Sequence, residues 1–583
     1  MIEASAGNPL FLEEMAALAR ERGTVDVPPT IQALLAARLE RLGVGERELL
    51  ERGAVEGEVF HRLAVRALVD ERLATAIEPR LSGLVRKELI RPHPATFSGD
   101  AFRFRHLLIR DAAYDSLPKA MRAELHERFA CWLEDVGAGL AEVDEIAGWH
   151  LEQAVRYRRE LGQALDIDLI GRATSHLHAA GRRAAARTDA AAASSLLTRA
   201  LALARNDDPL RPWVAVDLAE QLIDVGEFAR AEAVVAESLS DPTTADTAEL
   251  TRLELLVRFR PHEAAVAIHA SLPGLLERLT AAGDERGLAK AHKVAFWVYW
   301  NSADAVAALR ELRIAAEHAG NAGDDGLRAR MIGASVAPLV YGPTDVRTMA
   351  DELDAMERAE QGPFVRGVVE LGRSVVAKLE GRFAEARERA SRARETFASL
   401  GHAREGMALQ ELGEIHRFEG DLAGALTMYE ESDALVARLG ETAFRSTSQA
   451  MIAEVKAEIG DCAGARAACD LAMELSASDD MINYAITHRV RSVLARQEAD
   501  LEEAERWARS AVEHAFATDF YRYHVRTRLE LARVLSARGR RDDATSEARA
   551  AVEVAKAKGD RPEAALAQAF LDELEPLLPV REQ

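Results

Sequence analysis

Apolar residues recur at helical spacing along most of the chain, in runs rich in alanine, leucine, arginine and glutamate, such as residues 368–379 and 384–397. Positions three and four apart share one face of an α-helix, so each run predicts an amphipathic helix. A short phrase that starts at Gly381 separates the two runs. The pattern therefore predicts two helices joined by a tight turn, a helical hairpin.

The turn phrase repeats along the chain with a nearly constant period. It is clearest at residues 381–386 and begins there with glycine. Its ten starting positions, 34 to 42 residues apart, are Thr188, Gly226, Arg260, Ser302, Gly342, Gly381, Gly420, Gly460, Ala499 and Gly539. A steady period of this length is the signature of stacked repeats. We therefore predict an all-α, tetratricopeptide-like α-solenoid of about ten helical hairpins with a period of about 40 residues.

Each residue type in the turn phrase has a physical reason. Glycine closes a helix in the left-handed conformation at little steric cost. The aspartate or glutamate that often follows can accept hydrogen bonds from the free amides of the next helix. Nine of the ten units carry alanine five places after the first residue, the exception being Arg347. A small side chain at that position lets two helix backbones approach closely, so we expect it at the seam of each hairpin.

Composition and charge exclude several classes of protein. A net charge of −22 over 583 residues argues against nucleic-acid binding, which needs a basic face. The three cysteines, Cys131, Cys462 and Cys469, form no disulfide framework, and reduced thiols favour a cytoplasmic protein. No uncharged apolar stretch of membrane-spanning length and no leader peptide are found in the sequence. No metal-binding motif and no catalytic constellation are found in it either.

The region before the repeats has a different pattern. Helical runs at residues 31–42, 46–54 and 74–87 are followed by two short alternating segments, residues 89–91 and 102–104, with prolines and a glycine between them. Three helices and a small hairpin predict a winged helix.

A family resemblance rests on four segments of the chain before the repeats. Residues 104–117 (FRHLLIRDAAYDSL) resemble the signature after the winged helix in bacterial signal-transduction ATPases. That class includes MalT/LuxR-type regulators and the ATPase modules linked to class III adenylate/guanylate cyclases. Residues 7–11 (GNPLF) resemble the end of its nucleotide-binding domain, and residues 125–134 and 149–154 resemble its helices before the repeat array.

The resemblance implies a domain organisation. Residues 1–26 would be the last part of a nucleotide-binding domain, residues 27–118 a winged-helix domain, residues 119–170 a helical connector, and residues 171–583 the solenoid. In the family, Pro9 would approach the adenine and His106 the diphosphate of bound ADP. The chain lacks the phosphate-binding loop that holds ATP or ADP in the parent family. We therefore expect this chain to bind no cofactor and to be no enzyme, with Pro9 starting a helix and His106 packed in a core as the alternative.

Two aromatic clusters are candidate binding surfaces in a chain with only 5% aromatic residues. In the first, Phe296, Tyr299 and Trp300 are predicted to share one helical face, with Trp297 turned away and Tyr341 on the next repeat. A concave groove lined by these rings would suit a peptide or small effector. The alternative is a helix that is apolar all round because neighbours cover it. The second cluster, at residues 516–528, mixes aromatic residues and arginines and suits either an acidic peptide or core packing of the rings with solvated arginines.

We expect the chain to be the regulatory module of a multidomain signal-transduction ATPase. Its solenoid would bind a protein or small-molecule effector, and its winged helix would couple this event to a nucleotide-binding domain. The alternatives are a freestanding tetratricopeptide adaptor for protein partners and a winged-helix transcriptional regulator. The sequence identifies neither the effector nor the output domain.

Overall fold

The computed structural model describes residues 31–96, 99–137, 140–359, 362–400, 404–477 and 480–574. These residues form 29 helices and one three-stranded sheet. The chain divides into two compact units. The first unit contains residues 1–181 and 196–211, and the second contains residues 182–195 and 212–583. The predicted all-α repeat solenoid is confirmed.

The first unit begins with short elements. They are α1 (Ile31–Leu39), α2 (Val44–Glu56), β1 (Val59–His61), α3 (Arg62–Leu68), α4 (Glu71–Ala74), α5 (Ile77–Arg86), β2 (Ile90–Thr96), β3 (Gly99–Phe104), α6 (Leu107–Asp115), α7 (Lys119–Val136) and α8 (Val143–Glu160). Two further helices, α9 (Ile167–Ala186) and α10 (Ala190–Leu203), are divided between the units.

The sheet of the first unit has the antiparallel strand order β1-β3-β2. Phe60 of β1 lies opposite Phe102, and its ring centroid is 5.2 Å from that of Phe104 in a buried core with Leu49 and Ile109. The three predicted helices and the predicted hairpin are present. Strand β1 and helices α3 and α4 were missed, because elements of three to seven residues carry too few positions to reveal a period. The winged-helix assignment stays a prediction.

Two buried histidines lie side by side between α7 and α8 in the first unit. His126 Nδ1 and His150 Nδ1 are 2.8 Å apart, and His126 Nε2 is 2.7 Å from the Tyr114 hydroxyl. A hydrogen bond between two Nδ1 atoms needs one donor and one acceptor, so the pair cannot hold a proton on both atoms. Burial, reinforced by the charges of nearby arginines, lowers the pKa of His126 to about 3. Burial also holds the pKa of His150 well below its usual value.

This pair predicts a loss of stability in mild acid. The unfolded chain protonates both histidines below about pH 6.5, whereas the folded unit keeps them neutral, so unfolding takes up protons. The free energy of unfolding of the first unit should fall as the pH drops from about 6.5 towards 3, by about 1.4 kcal/mol per pH unit for each histidine. His126→Gln should shrink this slope by about half in urea titrations at several pH values. His93→Gln, on the exposed hairpin, is the control, and equal slopes in all three proteins would contradict the assignment.

The second unit consists of paired helices. They are α11 (Arg211–Asp224), α12 (Phe228–Ala236), α13 (Ala245–Phe259), α14 (Pro261–Ala282), α15 (Glu285–Asn301), α16 (Ala305–Asn321), α17 (Asp325–Tyr341), α18 (Val346–Ala359), α19 (Pro363–Leu379), α20 (Phe383–Ser399), α21 (Glu405–Phe418), α22 (Leu422–Arg438), α23 (Thr442–Ile459), α24 (Cys462–Leu475), α25 (Met481–Gln497), α26 (Leu501–Phe516), α27 (Tyr521–Ala537), α28 (Arg541–Lys558) and α29 (Arg561–Leu574).

Helices break at all ten predicted turns. The left-handed conformation occurs at five of the glycines and also at Thr188 (φ 60°) and Ala499 (φ 64°), so the turn geometry holds even without glycine. Gly342 differs, because its φ of −75° is not left-handed. The last described helix spans Arg561–Leu574, and residues 575–583 lie outside the described part of the chain.

The alanine of the turn phrase lies at the seam of the hairpin, as expected. The residues Ala193, Ala231, Ala386, Ala425, Ala465, Ala504 and Ala544 are all fully buried. In two hairpins a serine of the first helix reaches the alanine's own carbonyl: Ser374 Oγ donates to Ala386 O at 2.8 Å and Ser492 Oγ to Ala504 O at 3.0 Å. Such contacts require closely packed helix backbones. The turn at Arg260 is shifted by one residue, since Ala264 is buried there and Ala265 is exposed.

Candidate functional site

The first helices of successive hairpins in the second unit surround two adjacent inner cavities. Their side chains come from α13, α15, α17, α21, α23 and neighbouring segments. Residues about 180 to 220 positions apart in sequence also touch each other across this region. That separation corresponds to about five repeats, so successive turns of the superhelix contact one another. The concave side is therefore enclosed rather than open.

A buried ion pair makes the first of these contacts between turns. Arg258, at the end of α13, donates from Nε to Glu441 Oε2 at 2.8 Å, and from Nη1 to the Ile223 carbonyl at 3.2 Å. Glu441 is the residue before α23 and is 1% exposed. Burial raises the pKa of the Glu441 carboxyl, and the Arg258 charge opposes that rise. The two partners are 183 residues apart, so the pair depends on the superhelical turn.

Two further contacts join the turns near α17 and α27. The Asp519 carboxylate accepts hydrogen bonds from the amides of Ala305 (2.6 Å) and Val306 (2.9 Å) at the start of α16. Lys558 Nζ donates to the carbonyls of Val340 (3.1 Å) and Gly342 (2.6 Å) at the end of α17. Each contact satisfies backbone groups that a helix end leaves without an internal partner.

The larger cavity, which we call the aromatic cavity, encloses about 110 Å³. Six aromatic rings line it, together with Glu441, Asp480, Gln410 and other residues. The rings are those of Trp297, Trp300, Tyr341, Phe444, Phe520 and Tyr523. The ring centroids of Trp300 and Phe520 are 5.1 Å apart, and burial raises the pKa of the Tyr523 hydroxyl to about 12. The tyrosines are therefore neutral hydrogen-bonding groups at physiological pH.

The second cavity, which we call the basic cavity, encloses about 80 Å³. Four cationic and two acidic side chains line it, namely Arg258, Lys293, Arg330, Arg404, Asp224 and Glu254. The two cavities share the side chains of Arg258, Trp297, Trp300, Met407 and Phe444. The two cavities are therefore adjacent, and we treat them as one candidate site with an aromatic end and a cationic end.

A network of buried ion pairs joins the helices α21, α27 and α29. Glu414, 1% exposed, pairs with Arg522, accepts from Arg526 Nη2 at 3.1 Å and accepts from the Tyr429 hydroxyl. Burial alone would raise the pKa of Glu414, but the charges of Arg522 and Arg526 outweigh burial and hold it well below its usual value. Arg526 Nε also donates to Glu563 at 2.8 Å. The carboxylate therefore stays charged in the core.

Three members of the first predicted aromatic cluster are distributed over the two cavities, with the ring centroid of Trp300 6.0 Å from that of Phe296 and 6.2 Å from that of Tyr341. Phe296 lines the basic cavity, Tyr341 lines the aromatic cavity, and Trp300 lines both. Trp297 was expected to turn away, yet it lines both cavities, whereas Tyr299 lines neither and packs beneath Arg310. Successive helical residues are 100° apart, and the inner face of α15 is centred between residues 297 and 300. Tyr299 therefore falls on the far side of that helix.

The other candidate residues have different surroundings. Pro9 lies outside the described residues, and His106 is a half-buried residue directly before α6. In the second predicted cluster, Phe520 and Tyr523 line the aromatic cavity. Arg522 and Arg526 pair with buried carboxylates, so they are not the solvated arginines that the core-packing alternative expected.

Sequence reasoning missed the cationic end of the site. Arg258, Arg330 and Arg404 belong to three different repeats and stand in ordinary amphipathic runs. The one available signal was position, because each lies on the first helix of a hairpin, or directly before it, where inner-face residues are expected. Among the described residues, no group of three or more histidine, cysteine, aspartate or glutamate side chains could hold a metal ion. None of the helices described is long and apolar enough to cross a membrane.

No protein-family model matches the chain, and no curated protein matches it in sequence. Among solved structures it is similar to the APC/C hetero-tetramer Cut9-Hcn1, at 13% identity over 80% of this chain and 90% of that chain, with a TM-score of 0.49. It is similar to a Rap protein complexed with Competence and Sporulation Factor, at 13% identity over 62% and 97% of the chains, with a TM-score of 0.40. It is also similar to a Signal Transduction ATPase with Numerous Domains from Pyrococcus horikoshii with a tetratricopeptide repeat sensor, at 14% identity over 98% and 70%, with a TM-score of 0.28.

Proposed function

We propose that the second unit is a sensor module, in which a peptide or small molecule binds in the inner cavities and changes the contacts between superhelical turns. The observation that carries this proposal is that Arg258 and Glu441 belong both to the cavity lining and to a contact between turns. Both line the aromatic cavity, and together they join two turns. A ligand in that cavity therefore acts directly on a contact between turns. It shifts the equilibrium between closed and open turns by its difference in affinity for the two forms.

The size of the cavities supports a change of curvature as the signal. Cavities of about 110 and 80 Å³ accept a side chain or a small molecule. Sites for drug-sized ligands typically measure about 300–1,000 Å³. A larger ligand enters only when the turns separate, so it favours the open form.

We further propose that this module regulates a signal-transduction ATPase. The support is the resemblance of residues 104–117 to the family signature, together with the helices and hairpin of the first unit. In this proposal the first unit couples the solenoid to a nucleotide-binding domain. ATP or ADP binds to that domain, and this chain supplies regulation without covalent chemistry.

A freestanding adaptor for partner proteins is the second candidate. Adaptors of the repeat class use extended concave surfaces. Here the contacts of Arg258, Asp519 and Lys558 enclose the concave side of the second unit. We therefore favour the sensor over the adaptor.

The binding half of the proposal is tested by affinity selection with the full chain. Short peptides and polar metabolites are screened against the wild type, Met407→Trp and Val266→Trp. Met407 lines both cavities, so a larger side chain there should block them, whereas Val266 is 76% exposed and lies outside both linings. We expect ligands that bind the wild type and Val266→Trp and lose binding to Met407→Trp. Ligands retained equally by all three proteins would show that the cavities are not the site.

The regulatory half is tested by reading the DNA directly upstream of the Met1 codon. An open frame that encodes a phosphate-binding loop would support coupling to an ATPase. A stop codon directly upstream would contradict coupling within one chain.

A further inference from the structure

Four cations and two carboxylates line the basic cavity, so positive side chains are in excess among its lining residues. Arg258 pairs with Glu441 at 2.8 Å, and Lys293 pairs with Glu254 at 2.6 Å. Arg330 forms no ion pair among the described residues, and its Nη1 donates to the Ala185 carbonyl at 3.3 Å. Arg330 therefore contributes a positive charge to the cavity lining that no ion pair among the described residues neutralises.

Arg404 also lines this cavity and contacts α17, the helix that carries Arg330. Its Nη1 donates to the Gly333 carbonyl at 3.3 Å, and its guanidinium lies 5.2 Å from the centroid of the Phe364 ring. Burial lowers the pKa of Arg404 to about 10, with Asp224 opposing this effect and Arg258 adding to it. A buried cation with a lowered pKa is less stable in its charged form, and an anion nearby would reverse that effect.

A neutral donor points to the same kind of ligand. The indole Nε1 of Trp297 is buried, lines both cavities and has no hydrogen-bond partner among the described residues. A buried donor without a partner destabilises the protein, so a ligand acceptor that reaches this indole is favoured. The indole lies where the aromatic and basic cavities meet.

We infer that the ligand of the inner cavities is an anion, whose carboxylate or phosphate group binds between Arg330 and Arg404 and accepts from Trp297, with its apolar body among the rings of the aromatic cavity. Arginine is suited to this role because its planar fork donates two parallel hydrogen bonds to a carboxylate or phosphate. This inference depends on the proposed function, since it assigns the chemistry of the same site.

The test is isothermal titration calorimetry on the full chain with four probes that share one ring. Phenylacetate and phenyl phosphate carry the two anionic groups, benzylamine carries a cation, and benzyl alcohol is neutral. We expect at least one anion to bind tenfold or more tightly than the cation and the alcohol. The better anion identifies the group, a carboxylate or a phosphate. Equal or tighter binding of benzylamine or benzyl alcohol would overturn the inference.

Three variants locate the anion within the site. Arg330 is half-buried, so its site tolerates substitution. Arg330→Gln should lower the affinity for the more tightly bound anion at least tenfold. Trp297→Phe keeps an aromatic ring but removes the indole donor, so it should lower the affinity for the same anion several-fold. Arg313→Gln, on the exposed face of α16, should leave its affinity unchanged. Unchanged affinity in Arg330→Gln would overturn the inference.

Failure of this inference is distinct from failure of the proposed function. If the library ligands blocked by Met407→Trp are neutral or cationic, the anion assignment is wrong and the sensor proposal stands. If no ligand is sensitive to Met407→Trp, the sensor proposal itself is wrong.

Discussion

Glu414→Ala is expected to lower the free energy of unfolding of the second unit by about 3–5 kcal/mol. The carboxylate faces Arg522 and Arg526 in the core, and neither cation can reach solvent when their shared partner is lost. This loss of stability comes from leaving a buried arginine charge uncompensated, rather than from the net stabilisation that the ion pair provides. Urea denaturation followed by circular dichroism measures the change.

The matched control is Glu388→Ala, on an exposed face of α20. Glu388 pairs with Arg392 one helical turn away at 2.6 Å. Exposed pairs of this kind contribute about 0.3–0.5 kcal/mol, so this variant should differ little from the wild type. Equal effects of the two substitutions would mean that the buried network does not stabilise the fold.

Ala386→Trp is expected to destabilise the second unit by about 3 kcal/mol through overpacking. Ala386 is fully buried at the seam between α19 and α20, where Ser374 Oγ bonds to its carbonyl at 2.8 Å. An indole cannot enter that seam without separating the two helices and breaking this hydrogen bond. The urea midpoint of the second unit reports the loss.

Ala384→Trp is the control for this substitution, because Ala384 is exposed two residues earlier on the same helix. It should unfold at nearly the wild-type midpoint. An unchanged midpoint in Ala386→Trp would contradict the hairpin register inferred from the repeated turn.

The hairpins could be predicted because their signals are local. A left-handed residue ends one helix, and an alanine at a fixed distance sets the contact with the next, so both signals lie within a few residues. The signal failed where local geometry differs, as at Gly342, which is not left-handed, and at Arg260, where the buried alanine is shifted. Periodicity therefore specifies each hairpin but tolerates single exceptions.

The candidate site could be predicted only in part. Phe296, Trp300 and Tyr341 stood out because aromatic residues are rare in this chain. The pairing of Arg258 with Glu441 could not be predicted, because it depends on the pitch of the superhelix, which small rotations between neighbouring repeats determine together. A repeat period gives the length of each unit and not these rotations. The cationic end of the site also depends on these rotations, so the sequence did not predict it.

The contacts between superhelical turns also change how the repeats should fold. Linear repeat arrays behave as one-dimensional chains, in which each repeat is stabilised by its immediate neighbours and the ends fray first. In this unit, Asp519 caps a helix 214 residues away and Lys558 binds carbonyls 216 and 218 residues away. Such links raise the contact order, which slows folding, and they tie the last repeats to the middle of the array. Removing terminal repeats should therefore lower the stability of the central repeats as well. We expect the array to unfold as one cooperative unit.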